Sequence, residues 1–201
     1  MKAPALDIKS VRIAEEFKHE SQLFRAGFSP CGKIIAAVGV DTDVHLWNIE
    51  DKSKRSFQAH ETWISSLCFN PAGKHLYTAD YHGVIHSWDY LAGAPGKPRW
   101  TIPSADRDNV RALAVAGGGK FLVSAGDEGV IRIWDAATGK PLKQLAGHQE
   151  CVFSLAVQPG GKRLVSGDLL GSIRKWEIPA WKSAGELDAR ILHTPTSASP
   201  L

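Results

Sequence analysis

Two pairs of side chains in this sequence have types and spacings that could support chemistry. Asp127 and Glu128 are adjacent acids, and such a pair could bind a metal ion or take part in catalysis. His82 and His86 lie four residues apart, and imidazoles are common zinc ligands. No third ligand is evident in the sequence around the histidines, and a turn intervenes in their stretch "HGVIH". We therefore expect His82 to lie in a turn and His86 in a strand.

The acidic turns and the glycine-rich segments of the chain recur, which favours structural roles for them. Acids like Asp127 return in the analogous turns "VDTD", "ADYHG" and "GDLLG", where Asp and Gly tolerate the backbone angles that a turn requires. The segments "AGGGK" and "QPGGK" lack the spacing of a phosphate-binding loop, since Phe121 and Arg163 follow their lysines. We expect hairpin turns there. We also expect no catalytic residue, no metal site and no cofactor, and hence no enzyme.

An internal repeat reveals the elements that must position these residues. Trp47, Trp88, Trp134 and Trp176 are separated by 41, 46 and 42 residues. A turn motif precedes each of them, as "SPCGK", "NPAGK", "AGGGK" and "QPGGK". From the second residue of the turn to the tryptophan the distance is always 17 residues, so all the variation in length falls after the tryptophan. A rigid scaffold is thus separated from tolerant loops.

Each repeat has the pattern of a small antiparallel sheet. Short segments rich in β-forming residues flank the turn, such as "VRALAV" before and "KFLVSA" after the third one. A Gly- or Asp-bearing turn then leads to "VHLW", "IHSW", "IRIW" or "IRKW", and a less regular segment follows. Four antiparallel strands in a unit of roughly 40–45 residues form one blade of a β-propeller. The sequence therefore predicts an all-β protein with four four-stranded blades.

The repeats resemble those of the WD-repeat family. The signs are Trp-Asp pairs at 88–89 and 134–135, near variants at 47–48 and 176–177, and the segments "QAH" and "AGH" that end at positions 60 and 148. The resemblance covers roughly residues 22–177, in four copies that are in phase. It implies a propeller in which the sequence repeats are offset from the blades.

The resemblance also implies a structural network in each blade. In the family a histidine, a strand Ser or Thr, a turn Asp and the Trp hydrogen-bond to one another. The structural residues implied here are Trp47, Trp88, Trp134, Trp176, His60, His148, Ser124, Ser166 and Asp41. The family's Asp usually lies six residues before the tryptophan, and only the first repeat has an Asp there. We expect blades of uneven stability, because a network with missing members is weaker.

The number of blades raises the question of how the array ends. We expect a flexible N-terminus at 1–9, blades at about 10–60, 61–109, 110–148 and 149–192, and a disordered tail at 193–201. Propellers have about four to eight blades, and family members most often have seven. The chain is then part of a longer propeller, half of an eight-bladed ring made by two chains, or an open arc or small closed ring.

A binding surface is implied where the inner strands begin. Each inner strand is expected to open with a buried residue: Leu23, Ile64, Val110 or Val152. Strand alternation places the two sequence neighbours of that residue on the other side of the strand. In the family these positions line the top face around the central channel, where peptides and domains dock. The predicted protein-binding residues are Phe24, Trp63, Ser65, Tyr81, Asn109, Arg111 and Phe153.

Composition excludes several function classes for this chain of 201 residues. The net charge of +3 is too weak and too evenly spread to predict binding to nucleic acid or to a membrane. No signal peptide and no membrane-spanning run is evident, and three widely spaced cysteines predict reduced thiols in a cytoplasmic protein. The favoured function is a non-catalytic protein–protein interaction scaffold. The alternative is a regulatory or sensor propeller segment of a larger multidomain protein or enzyme.

Overall fold

The chain folds as four antiparallel four-stranded sheets that follow one another in sequence. The computed structural model describes residues 13, 15–92, 96–106 and 109–188, with only the backbone at 186–188. The expected flexible start at 1–9 and disordered tail at 193–201 lie outside these residues. Apart from one 3₁₀ turn at Gly117–Gly119, the described residues contain no helix. The predicted all-β fold with four blades is confirmed.

Every blade is a simple meander of strands taken in chain order. Blade 1 contains β1 (Leu23–Phe28), β2 (Ile34–Gly39), β3 (Asp43–Asn48) and β4 (Lys54–Gln58). Blade 2 contains β5 (Ile64–Phe69), β6 (Leu76–Asp80), β7 (Ile85–Trp88) and β8 (Trp100–Ile102). Blade 3 contains β9 (Val110–Ala116), β10 (Phe121–Gly126), β11 (Ile131–Asp135) and β12 (Pro141–Leu145). Blade 4 contains β13 (Val152–Val157), β14 (Arg163–Asp168), β15 (Ser172–Glu177) and β16 (Lys182–Asp188).

The constant spacing from turn to tryptophan gives all four sheets the same register. Each tryptophan on a third strand lies opposite an aliphatic residue of the second strand, in the pairs Ile35–Trp47, Leu76–Trp88, Leu122–Trp134 and Leu164–Trp176. The first hairpin turn of each blade contains glycine at positive φ, for example 73° at Gly32 and 77° at Gly73. Only glycine adopts such angles readily, so these turns fix where each strand begins.

The core consists of three apolar layers, each between two neighbouring blades. The inner strands β1, β5, β9 and β13 pack side by side in that order. In each layer the tryptophan comes from the later blade, so that Trp88, Trp134 and Trp176 are at least 93% buried against the preceding blade. Burying a large aromatic side chain in this way is a major favourable contribution to folding. Each sheet therefore buries its apolar faces only when the blades stack.

No blade precedes Trp47 among the described residues, and the segment before β1 lies over it instead. The ring of Phe17 lies 6.4 Å from that of Trp47, and the ring of His19 lies 6.3 Å from it. The segment covers blade 1 only in part, because Leu23 is 40% exposed and Phe28 is 64% exposed. Leu23 was expected to be buried like its counterparts Ile64 and Val110. It is exposed because only one side of blade 1 has a neighbouring blade.

The opposite end of the array is also open. Val165 and Ile173 in blade 4 are each 38% exposed, whereas the equivalent strands β10 and β11 of blade 3 are mostly buried. A small closed ring would bury these side chains. The four blades of the described chain therefore form an open arc with an apolar face at each end.

Hydrogen exchange measured by mass spectrometry tests this difference between inner and outer blades. We expect the amides of β10 to exchange more slowly than those of β14. Both are second strands paired on two sides, but β14 has a solvent-exposed face and therefore less packing to resist local opening. Equal protection of the two strands would show that all four blades open together.

Candidate protein-binding face

The adjacent acids of blade 3 are both paired with arginines. The carboxylate of Asp127 accepts hydrogen bonds from the guanidinium of Arg111, and that of Glu128 accepts one from Arg132. Their oxygens are thus used within the blade, and the pair has the structural surroundings of a turn. Neither acid belongs to a group with metal-ligand spacing among the described residues.

The histidines of "HGVIH" also have separate environments. His82 lies in the exposed turn, where its backbone N–H donates to Asp80. His86 lies on β7, and its Nδ1 is 2.9 Å from the hydroxyl of Thr101. Burial and the neighbouring His60 lower the pKa of His86 to about 4, so this imidazole is neutral at physiological pH.

Blades 2 and 4 contain complete networks of four side chains. In blade 2, Nδ1 of His60 is 2.9 Å from Asp80 and its Nε2 is 2.7 Å from the Thr78 hydroxyl, which accepts from Trp88 Nε1 at 2.9 Å. Blade 4 repeats this arrangement in the set His148, Asp168, Ser166 and Trp176. The carboxylates are those eight residues before the tryptophan, not the six expected from the resemblance.

The network determines its own proton positions. A carboxylate only accepts, so the Nδ1 of His60 carries a proton, and its Nε2 in the neutral ring accepts from Thr78. Burial would raise the pKa of Asp80, but hydrogen bonds from His60 and the Val84 amide hold that pKa below its ordinary value. The resulting stabilisation is present above the ordinary carboxyl pKa and is lost as the pH falls through the lowered one.

Blades 1 and 3 depart from this network in different ways. In blade 3, Trp134 Nε1 donates to Ser124 at 2.8 Å, but Gly126 stands where blades 2 and 4 have their Asp. A Cβ at Gly126 would come within 3.0 Å of the Asp106 carboxylate, so the acid reaches this space from another part of the chain. In blade 1, Asp41 lies 2.8 Å from His19 and 2.9 Å from His45, and Ala37 offers no hydroxyl.

A β-bulge opens every inner strand at the same place. In each first hairpin one residue of the inner strand is left out of the pairing register, and these residues are Phe24, Ser65, Arg111 and Phe153. A bulge redirects a side chain and ends regular pairing. All four residues belong to the predicted binding set, and all four line the same pocket.

The predicted binding residues converge on one pocket at this end of the inner strands. The pocket has a volume of about 310 Å³ and is lined by Leu23, Phe24, Arg25, Ser65, Tyr81, Asn109, Arg111 and Phe153. Trp63 stands beside it, half exposed, with its ring 6.4 Å from Phe24 and 5.7 Å from Tyr81. The structure thus brings all seven predicted residues together. We call this surface the top face.

Polar groups of the top face are held by specific contacts. The Arg111 guanidinium lies 4.5 Å from the ring centre of Phe153 while it pairs with Asp127. The Ser65 hydroxyl donates to the carbonyl of Val110, which ties neighbouring inner strands together. Asn109 is 3% exposed, and neither atom of its amide has a hydrogen-bond partner among the described residues. Its amide is therefore available to a group that enters the pocket.

Sequence reasoning missed two lining residues, Leu23 and Arg25, and the bulges themselves. Strand alternation predicts one side chain in two for each face, whereas a bulge brings consecutive residues to the same surface. The only trace of the bulges in the sequence is that each bulged residue lies the same number of residues before the tryptophan of its blade.

Four meandering sheets packed around a row of inner strands define a β-propeller array. The family model described as "WD domain, G-beta repeat" matches residues 12–48, 51–89, 96–135 and 139–177. The chain therefore belongs to the WD domain, G-beta repeat family. Each match begins before the inner strand of one blade and ends with its tryptophan strand, so the sequence repeats are offset from the blades as expected.

Curated relatives are similar to this chain over part of their length only. Jouberin of Rattus norvegicus is 27% identical over 89 residues, which are 41% of this chain and 8% of that protein. The U3 snoRNP-associated protein-like EMB2271 of Arabidopsis thaliana is 33% identical over 73 residues, or 36% of this chain and 15% of that protein. The chain thus matches a small part of longer proteins.

A solved structure shares the fold. A chain in the crystal structure of the mitotic checkpoint complex superposes with a TM-score of 0.77 at 22% identity, covering 87% of this chain and 53% of that one. At this identity the likeness concerns the fold alone. Among the residues described here, no helix has the length and apolar character needed to span a membrane.

The Thr78 hydroxyl provides a test of the complete network in blade 2. Thr78→Val keeps the side-chain volume but leaves Trp88 Nε1 and His60 Nε2 buried without their partner, so we expect a loss of about 2–4 kcal/mol in the free energy of unfolding. Denaturant unfolding measures this loss. The control Thr101→Val removes an exposed hydroxyl and should cost less than about 1 kcal/mol. Equal losses of unfolding free energy in the two variants would mean that the Thr78 hydroxyl contributes no more to stability than an exposed one.

Proposed function

We propose that this protein is a non-catalytic interaction scaffold that binds a protein or peptide on its top face. The observation that carries the proposal is that six of the seven predicted side chains line one pocket, with Trp63 beside it, and that four of the six lie at bulges in register. The WD-repeat family is typically non-catalytic and commonly mediates protein–protein contacts, which supports this assignment. Three of the four residues first considered for chemistry, Asp127, Glu128 and His86, have side-chain partners within their blades.

The top face has the composition of an interaction surface. Trp63 and Phe153 are exposed by 50% and 39%, and covering such side chains gives a partner binding energy that a polar surface does not. Arg111 is kept in place by Asp127 and Phe153, so it loses little rotational freedom when a partner binds. The buried Asn109 amide supplies donors and an acceptor for a polar group of the partner.

The second candidate function is a regulatory or sensor propeller within a larger protein. It is favoured by the comparison with relatives, because the chain matches only 8–15% of the length of Jouberin and EMB2271. Both functions use the same face, and they differ in whether the partner is a separate molecule or a domain of the same one. We place the protein in the cytoplasm, without nucleic acid or membrane as a partner, on the basis of its charge and its three free cysteines.

Affinity capture tests the top face directly. We expect the double variant Trp63→Ala, Arg111→Ala to lose at least about tenfold in affinity for captured protein partners, since truncation of such anchors often costs 2 kcal/mol or more. Partners identified by mass spectrometry with the wild-type chain are then titrated against each variant. Leu142→Ala is the matched control, because Leu142 is 52% exposed on the outer strand of blade 3.

The outcome separates a role of these side chains in binding a partner from a role in packing between blades. Both variants should keep the wild-type circular dichroism spectrum and melting temperature within a few degrees, since Trp63 and Leu142 are at least half exposed and the Arg111–Asp127 ion pair is partly exposed to solvent. Partner capture that is unchanged in the double variant would contradict the proposal. Capture that falls equally in Leu142→Ala would assign the contact to a different surface.

We further propose that additional blades cover the two open ends of the array. The structural neighbour supports this, because the chain covers 53% of a longer chain of the same fold. A second copy of the chain is the alternative, since two four-bladed arcs would make an eight-bladed ring. In either case the exposed apolar side chains Phe28, Val165 and Ile173 become interface residues.

Light scattering after size-exclusion chromatography distinguishes these occupants. If the two ends are shaped to pack against further blades of a longer chain, they do not fit a second copy of this chain. We therefore expect the 201-residue chain to run as a monomer at low micromolar concentration. A stable dimer that dissociates on Val165→Glu would support the ring of two copies instead.

A further inference from the structure

Three side chains of blade 1 direct their nitrogen and oxygen atoms at one point. Oδ2 of Asp41 is 2.8 Å from Nε2 of His19 and 2.9 Å from Nε2 of His45. The two imidazole rings are tilted against each other with centroids 3.9 Å apart. All three possible ligand atoms lie within 4.8 Å of one another. Two imidazoles and one carboxylate are a ligand set that zinc and related transition metals prefer.

Different elements of the fold bring these residues together. His19 lies in the segment before β1, which packs over Trp47 at the open end of the array. Asp41 lies in the turn between β2 and β3, and His45 lies on β3 with 4% of its surface exposed. The backbone of blade 1 therefore fixes Asp41 and His45, and the third group comes from a segment that depends on side-chain contacts for its position.

Comparison with blades 2 and 4 shows that this cluster is built differently from the structural network. In those blades a carboxylate oxygen meets one histidine, through Nδ1, and the Nε2 of that ring meets a hydroxyl. In blade 1 the hydroxyl position is Ala37, the ring of His19 presents Nε2 instead, and a second histidine joins the same oxygen. The outcome is three convergent ligand atoms in place of a chain of hydrogen bonds.

Distances in the cluster suit a metal ion after a small expansion. Metal–ligand distances of about 2.0–2.1 Å at tetrahedral angles require ligand atoms roughly 3.3 Å apart. The two observed separations from Asp41 Oδ2 are shorter by about half an ångström, which side-chain rotation can supply. The other oxygen, Oδ1 of Asp41, is buried and has no hydrogen-bond partner among the described residues. It can therefore serve as a second ligand atom of the same carboxylate.

We propose that His19, Asp41 and His45 bind one zinc ion through Nε2, Oδ2 and Nε2, with a water molecule completing the coordination. We expected no metal from the sequence, where this set of residues does not stand out: Asp41 lies 22 residues from His19, and the set matches no common zinc spacing. The ion joins the segment before β1 to the turn and third strand of blade 1. It thereby holds the cover over Trp47, where other blades have a neighbouring sheet.

The surrounding charges set the conditions for binding. Nζ of Lys54 lies 3.0 Å from Nδ1 of His19 and 5.2 Å from the ring centre of Trp47. A zinc-bound His19 carries its proton on Nδ1, so the exposed Lys54 must turn away when the ion binds.

Isothermal titration of the full chain with zinc chloride at pH 7.5 tests the site. We expect one ion per chain and a rise in melting temperature with zinc. His19→Ala and Asp41→Asn should each weaken binding at least about tenfold, since loss of a group that merely supports a ligand already costs roughly 10–100-fold. Both positions are only partly buried, so these variants avoid the core position of His45.

Matched controls separate this site from other histidines. His82→Ala removes an exposed turn imidazole, and His148→Ala removes the histidine of the blade 4 network; both should bind one zinc ion with wild-type affinity. Lys54→Gln should bind zinc as tightly as the wild type or more so, because a cation beside His19 is gone. The absence of stoichiometric zinc binding, or equal binding in His19→Ala and the wild type, would overturn the proposal.

Discussion

The constraint on which this structure depends is that a blade has two apolar faces and can cover neither alone. Trp88, Trp134 and Trp176 each lie against the blade before them, so a blade is complete only when its predecessor is present. The two ends of the arc show the consequence. At the start, Phe17 and His19 lie over Trp47 in place of a sheet, and at the far end Val165 and Ile173 face solvent.

The constant spacing between turn and tryptophan links this packing to the candidate binding face. The fixed spacing between turn and tryptophan sets one register for all four sheets, and that register places each bulge at the same height. The residues released by the bulges then face a common pocket, although they belong to four separate repeats. The scaffold that stabilises the blades is thus also what assembles the face, and the chemistry of the face can vary without disturbing the core.

Much of the fold was predictable because the information is local and repeated. The turns, the strands and the tryptophans recur at fixed spacing, and their pattern predicts four blades without any knowledge of distant contacts. Features that depend on contacts through space were not predictable in this way: Asp106 fills a space next to Gly126, and His19 meets Asp41 across 22 residues. Six residues of the top face were predictable because they flank strand starts that the repeat locates, and Tyr81 because it lies in an adjacent turn. Their role in binding a partner stays a prediction.

Gly39 and Gly126 carry a consequence for how these repeats can change. A Cβ at Gly39 would lie 1.8 Å from the carbonyl oxygen of Gln22, and one at Gly126 would lie 1.9 Å from that of Asn109. Blades 2 and 4 carry Asp80 and Asp168 at the matching positions, so their backbones leave room for a side chain there. Restoring the missing acid in blade 1 or 3 is therefore not a one-step mutation. The inner-strand backbone must shift as well, so the two kinds of repeat differ in backbone position and not only in one side chain.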